Sequence, residues 1–100
     1  MPKHCLSLVC GPDIAEKLLD ALLTSVPDQV FTSTATFSHG TPHGRLSGVE
    51  QVMGRSASMQ IQLIVTEEQL SQTLEMVHQK FKGTGVCFWA CELSVEGVVE

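Results

Sequence analysis

Hydrophobic and polar residues alternate along residues 3–10, and the period changes after that segment. Every second side chain there falls on one side, which is typical of a strand with one buried face. Beyond the break at residues 11–13, apolar residues recur every three or four positions as far as Leu22. This spacing predicts an amphipathic helix with Asp13 near its free amides, and the helix must end before Pro27 because the residue preceding a proline avoids helical geometry. The chain is therefore predicted to open with a strand and a helix.

The alternation returns in two longer segments, residues 29–39 and residues 56–66. Threonine and phenylalanine dominate the first of them, and both residue types favour a pleated surface. Thr66 is followed by Gln69 in a capping-box spacing, which predicts that a second helix begins there. Two strands followed by a helix are therefore expected in the middle of the chain.

The second helix is expected to end at Gly83, a residue that readily adopts the left-handed conformation. Residues 85–95 then alternate again and predict a last strand. The order β-α-β-β-α-β with right-handed crossovers predicts one α+β domain over residues 1–100, a ferredoxin-like sandwich in which two helices cover one face of a four-stranded antiparallel sheet. The face under the helices is expected to hold Leu6, Leu8, Phe31, Phe37, Ile61 and Leu63.

The opposite, open face of this sheet is predicted to carry almost no charge. Its expected members are Cys5, Ser7, Thr32, Thr34, Thr36, Ser38, Ser58, Gln60 and Gln62. The whole chain is 43% hydrophobic and only 17% charged, which is below the usual charged fraction. Two interpretations are open: a solvated threonine-rich face, or a face that packs against other sheets. We favour association.

Composition excludes several classes of function. The formal net charge is −5 and the six basic residues do not cluster, which argues against a nucleic-acid partner. No apolar run approaches the roughly 20 residues that cross a bilayer, so membrane insertion is not expected. The amino terminus shows no signal-peptide pattern, and we expect a cytoplasmic protein with reduced cysteines.

Three functions known for ferredoxin-like domains require residues that this chain lacks. The loop after the first strand has Cys10 alone, without the second cysteine of a copper metallochaperone. Ser7 and Gln60 stand where an RNA-recognition domain would place stacking aromatics. No arginine lies beside the start of the first helix to hold a phosphoryl group, as an acylphosphatase-like site would require.

Three features resemble the PII and CutA superfamily, and within it a small proteobacterial PII-like family of unknown function. The second and third predicted strands are long and are joined by a long glycine-containing loop, similar to the T-loop of PII proteins. The sequence of residues 81–88 looks like a reduced form of the glycine-rich loop before the last PII strand. The open sheet face suits the trimer that such proteins form.

The resemblance implies a homotrimer with ligand clefts between neighbouring subunits, near the base of the loop and the turn before the last strand. It implies ligand contacts from Arg45, Arg55, Lys82, Gly83, Thr84 and Gly85. The chain departs from PII proteins because it has no lysine after Gly85 and no arginine in residues 94–100. We therefore expect a smaller or less charged effector than ATP, or none, and the sequence specifies no cofactor.

The segment 39–55 is long enough to suggest a functional loop, although a disordered connector is the alternative. We expect its apolar residues to dock onto a protein partner: Leu46, Val49, Val52 and Met53. His39 and His43 lie four residues apart in it, and two imidazoles are suitable ligands for zinc, copper or nickel.

Three functions remain open. The first is a PII-like regulator whose segment 39–55 responds to a small effector, and the second is a metal-responsive module, linked to heavy-metal homeostasis, that uses the two histidines. The third is a small enzyme of the dimeric barrel type, with Trp89 and His78 around a cavity on the open face. No nucleophile, base and acid occur at a spacing that suggests catalysis, so we expect no enzyme. The four cysteines are expected to be structural, although a cross-strand pair that includes Cys5 is an alternative.

Overall fold

The computed structural model describes residues 2–26, 28–40 and 55–100. Four strands form one antiparallel sheet in the order β2-β3-β1-β4, which confirms the predicted ferredoxin-like topology. The elements are β1 His4–Cys10, α1 Pro12–Ser25, β2 Phe31–His39, β3 Arg55–Val65, α2 Glu67–Lys80 and β4 Cys87–Glu92. The predicted bounds of the strands agree to within one or two residues, except that β4 ends three residues earlier than expected. The second helix likewise ends at Lys80, three residues before the expected stop at Gly83.

A hydrophobic core lies between the helices and one face of the sheet. Leu6 and Leu8 of β1 are fully buried in it, as are Ile61 of β3 and Leu18 and Leu22 of α1. The alternation seen in the sequence therefore selects the face that meets the helices. The other members are Cys10, Ala15, Val26, Leu63, Val65, Val77 and Phe81.

The helix α1 begins without a side-chain cap. Gly11 is its N-cap in an extended conformation, and the Gly11 carbonyl accepts hydrogen bonds of 3.1 Å from the amides of Ile14 and Ala15. Pro12 occupies the first turn, where its missing N–H has no cost. Asp13 lies in the first turn, near the free amides as predicted, but its side chain forms no cap hydrogen bond.

The helix α2 begins with the capping box that the sequence predicts. The Gln69 amide donates to the Thr66 hydroxyl over 3.2 Å, and the Thr66 amide donates to the Gln69 side-chain oxygen over 2.9 Å. At the other end, the Phe81 amide closes the last turn on Val77, and Gly83 follows with φ of 80°. Both ends of α2 are thus set by local sequence.

Replacing Thr66 with alanine is expected to lower the free energy of unfolding by about 1 kcal/mol, because one amide of the first turn loses its acceptor. Urea denaturation followed by circular dichroism measures the loss. Ser71→Ala, at an exposed position of the same helix, is the matched control and should change stability by less than about 0.5 kcal/mol. Equal effects of the two variants would contradict the role given to the cap.

The strands β2 and β3 extend beyond the rest of the sheet as a two-stranded ribbon. They pair from Phe31 with Leu63 to His39 with Arg55, whereas β1 pairs with β3 only as far as Met59. The predicted helix-covered position of Phe37 is wrong for this reason: it lies on the ribbon, past the core, and is 53% exposed. The Arg55 guanidinium lies 4.2 Å from the centre of its ring instead, a cation–π contact.

Among the described residues, no helix is long and apolar enough to cross a membrane.

Candidate functional site

An open cleft of about 1050 Å³ lies where the ribbon leaves the sheet. Its walls are the end of β1, the first residues of α1, the ribbon and the turn formed by Gly83, Thr84 and Gly85. The cleft continues onto the open sheet face, where Gln60 and Trp89 also line it. Elements that are distant in sequence therefore meet at this place.

The described lining of the cleft contains hydroxyl groups but no lysine or arginine. Ser38 and Ser58 are diagonal neighbours across the ribbon, with 2.6 Å between their side-chain oxygens. Asp13 and His39 are the described lining residues with an acidic or imidazole side chain. The cleft can offer hydrogen bonds to a ligand, but its described walls provide little to neutralise a dense negative charge.

The turn before β4 is held by its own hydrogen bonds. The Thr84 amide and hydroxyl both donate to the Phe81 carbonyl, over 3.2 Å and 2.6 Å. Gly83 and Gly85 have φ of 80° and 85°, values that other residues rarely adopt. The three residues that the resemblance assigned to ligand contact in this turn all line the cleft.

The basic residues assigned to the same site are placed differently. Arg55 lies against Phe37 and is not among the residues lining the cleft. Its Nε is buried and has no hydrogen-bond partner in the part of the chain that the structure describes. Lys82 is exposed beside the turn without lining the cleft, and Arg45 lies outside the described residues. In the described structure the glycine turn therefore lines the cleft, whereas Arg55 and Lys82 do not.

The two histidines predicted to bind metal are not both described. His39 ends β2, pairs with Arg55 across the ribbon and lines the cleft, whereas His43 lies outside the described residues. Within residues 2–26, 28–40 and 55–100, no group of three or more histidine, cysteine or acidic side chains is placed to hold a metal ion. The residues predicted to contact a partner, Leu46, Val49, Val52 and Met53, also lie outside the described residues.

Cys10 lies at the floor of the cleft and is 3% exposed. Burial raises the pKa of its thiol, and the nearby Asp13 carboxylate raises that pKa further. The thiol therefore stays protonated at neutral pH and is a poor nucleophile. Cys10 acts as a small apolar residue here, as the sequence predicts.

The open face carries no charged side chain in three successive cross-strand rows. The rows are Thr32–Gln62–Ser7–Trp89, Thr34–Gln60–Val9–Cys87 and Ile64–Cys5–Cys91. Ser7 lies on this face as predicted, but it is only 1% exposed between its neighbours Gln62 and Trp89. Its hydroxyl accepts a hydrogen bond of 3.1 Å from the side-chain amide of Gln62. Trp89 remains 47% exposed. This face combines apolar and uncharged polar groups, as an interface does.

The sheet separates Trp89 from His78. The His78 ring contacts Phe88 edge-to-face, with 5.6 Å between centroids, on the face that the helices cover. Trp89 is opposite Ser7 on the other face. The two side chains of the enzyme alternative therefore do not share a cavity.

Two contributors to the cleft were missed by sequence reasoning. The break Gly11-Pro12-Asp13 was interpreted only as a helix start, and the ribbon hydroxyls of Ser38 and Ser58 only as part of the open face. The predicted topology could have indicated the first of them. In an antiparallel pair the end of β1 and the start of β4 lie at the same end, so the residues that follow β1 lie near the turn that precedes β4.

Comparison with solved structures gives the class of the fold, which is that of the PII-like and CutA proteins. CPII, a nitrogen regulatory PII-like protein from Thiomonas intermedia K12 bound to ADP, AMP and bicarbonate, matches with a TM-score of 0.74 and 18% identity over 99% of this chain and 98% of that one. The periplasmic divalent cation tolerance protein CutA from Archaeoglobus fulgidus matches with a TM-score of 0.69 and 12% identity, over 96% and 87% of the two chains. At such identities the likeness establishes the fold alone.

The chain belongs to the family DUF3240, described as proteins of unknown function, whose model matches residues 1–100. A DUF3240 family protein from Shewanella baltica OS155 has a similar structure, with a TM-score of 0.78 and 13% identity over 98% of this chain and 97% of that one. No curated protein sequence matches the chain significantly. The resemblance to the PII and CutA superfamily stated from the sequence is thereby confirmed.

Proposed function

We propose that this protein is a trimeric PII-like regulatory module of the cytoplasm that binds a small effector in the cleft and does not catalyse a reaction. The observation that carries the proposal is the meeting of the ribbon, the start of α1 and the Gly83–Gly85 turn around one cleft. An occupant would contact the base of the segment 39–55 directly. Binding then changes the state of that segment if the effector prefers one of its conformations.

The open face supports the assembly. A monomeric sheet face in water usually carries lysine and glutamate, and the three cross-strand rows here carry neither. Trp89 on this face is exposed, and tryptophan is enriched in protein interfaces. Since the cleft continues onto this face, covering the face with sister subunits would place the cleft at a seam between them.

The described lining favours an effector with little negative charge. Hydroxyls of Ser38, Ser58 and Thr84 can exchange hydrogen bonds with a sugar or a heterocycle. The Asp13 carboxylate repels a triphosphate, and no described lysine or arginine in the lining offsets it. The structure of CPII is bound to ADP, AMP and bicarbonate. For this chain we propose a nucleoside, a nucleoside monophosphate or a small anion.

Isothermal titration calorimetry with adenosine, AMP, ADP, ATP and bicarbonate tests the proposal. We expect binding of at least one of the less charged compounds and weaker binding of ATP. Thr84→Trp fills the cleft and should weaken that binding by about tenfold or more. Ser71→Trp, the same bulk on the exposed face of α2, should leave it unchanged. Equal weakening by both variants, or tighter binding of ATP than of AMP, would contradict the proposed site.

A metal-responsive module is the second candidate, because His39 is exposed at the cleft rim. It predicts that zinc, copper or nickel binds the wild-type protein and that the double variant His39→Ala/His43→Ala loses the binding. Unchanged calorimetric titrations of that variant would remove both histidines from consideration.

A further inference from the structure

Two cysteines face each other across the strands β1 and β4. Cys5 and Cys91 are register partners in this antiparallel pair, and both are free thiols. Cys5 is partly exposed and Cys91 is exposed on the open face. The sequence alone allowed a cross-strand pair with Cys5, and the register identifies Cys91 as the partner and excludes Cys87, which pairs with Val9.

The hydrogen bonding of the two strands fixes the separation of the pair. The Leu93 amide donates to the Lys3 carbonyl over 2.8 Å, so Lys3 and Leu93 form a hydrogen-bonded pair. Such pairs recur every second residue, which makes Cys5 and Cys91 the next one, with Cα atoms about 5.5 Å apart. Their side chains leave the same face of the sheet, with Cβ atoms roughly 5 Å apart.

This separation suits one ion between two sulfur atoms. Metal–sulfur bonds of about 2.3 Å on opposite sides of an ion place the sulfurs roughly 4.6 Å apart. A zinc ion needs four ligands in a closed site, and among the described residues no third histidine, cysteine or acidic group joins the pair. Two thiolates alone match a soft monovalent ion such as Cu(I).

The surroundings of the pair are those of a soft-metal site. Ile64 is the register partner of Cys5 on its other side, and Trp89 lies two residues from Cys91 on the same face. The adjoining row also carries Ser7 and Gln62, whose side chains hydrogen-bond to each other, but it carries no carboxylate of the kind that binds calcium or magnesium.

We propose that Cys5 and Cys91 form a two-thiolate site for one Cu(I) ion per chain. Binding deprotonates both thiols and releases two protons, and the ion stays in the Cu(I) state throughout. One chain provides both ligands, so the site uses neither the cleft nor His39 and His43. Both thiols lie on the open face, so the trimer proposed above would enclose the bound ion between subunits.

The test is an anaerobic titration of the fully reduced protein with Cu(I) against a chromophoric Cu(I) chelator. We expect one tight equivalent per chain, with quenching of Trp89, the single tryptophan of the chain. Cys5→Ser and Cys91→Ser should each weaken binding by about 100-fold or more, because a second tethered ligand raises affinity by at least that factor. Cys87→Ser, an exposed cysteine on the same strand and face, is the matched control and should bind as the wild type does.

Equal weakening by Cys87→Ser and Cys91→Ser would overturn the proposal, as would unchanged binding by Cys5→Ser. Far-ultraviolet circular dichroism of each variant separates loss of ligand from loss of fold. X-ray absorption at the copper edge gives an independent measurement, and we expect two sulfur neighbours in the wild type. Nitrogen atoms as the main neighbours of the copper ion would also overturn the proposal.

Discussion

Replacing Thr34 with glutamate is expected to convert the proposed trimer into monomers. Thr34 lies in the second uncharged row of the open face, beside Gln60. A carboxylate that is buried between subunits without a partner costs several kcal/mol, and a trimer would bury three of them. Sedimentation velocity at micromolar concentration measures the outcome.

The control for this prediction is Thr24→Glu. Thr24 is exposed on α1, and the substitution adds the same charge away from the open face. We expect this variant to sediment as the wild type does. If Thr34→Glu also sediments as the wild type, the open face is not the contact between subunits.

Replacing Leu18 with alanine is expected to lower the free energy of unfolding by about 3–5 kcal/mol. Leu18 is fully buried on α1, between the helix and the sheet, and its truncation loses both apolar burial and packing around the resulting cavity. Domains of this size keep only about 5–15 kcal/mol of net stability, so the variant should be close to unfolding. Urea denaturation measures the change in midpoint.

Leu23→Ala provides the matched comparison on the same helix. Leu23 is 56% exposed, so the same truncation should cost less than about 1 kcal/mol. Similar losses for Leu18→Ala and Leu23→Ala would show that the helix does not pack on the sheet through the face described.

The fold was predictable because its signals are local. The Thr66–Gln69 capping box sets the start of α2, and the alternation through Leu6 and Leu8 identifies the buried face of β1. Phe37 shows the limit of such patterns. Its alternation assigns it to the correct face, but whether that face is covered there depends on how far β1 extends along β3, which is a tertiary property.

The site was predictable only in part. The resemblance assigned the Gly83–Gly85 turn to ligand contact, and the turn does line the cleft, with Gly83 and Gly85 at positive φ. Arg55 was assigned as a ligand contact, but its stacking on Phe37 depends on the ribbon register. The opposition of Cys5 and Cys91 similarly depends on the pairing of strands about 80 residues apart, which no local pattern fixes.

The regulatory proposal depends most on whether sister chains cover the side of the sheet that carries Thr34, Gln60 and Trp89. Sedimentation equilibrium of the wild-type protein at micromolar concentration measures this directly. We expect a mass three times the 10.8 kDa of one chain, together with Trp89 fluorescence that acrylamide quenches poorly. A mass of one chain, with Trp89 freely quenched, would contradict it.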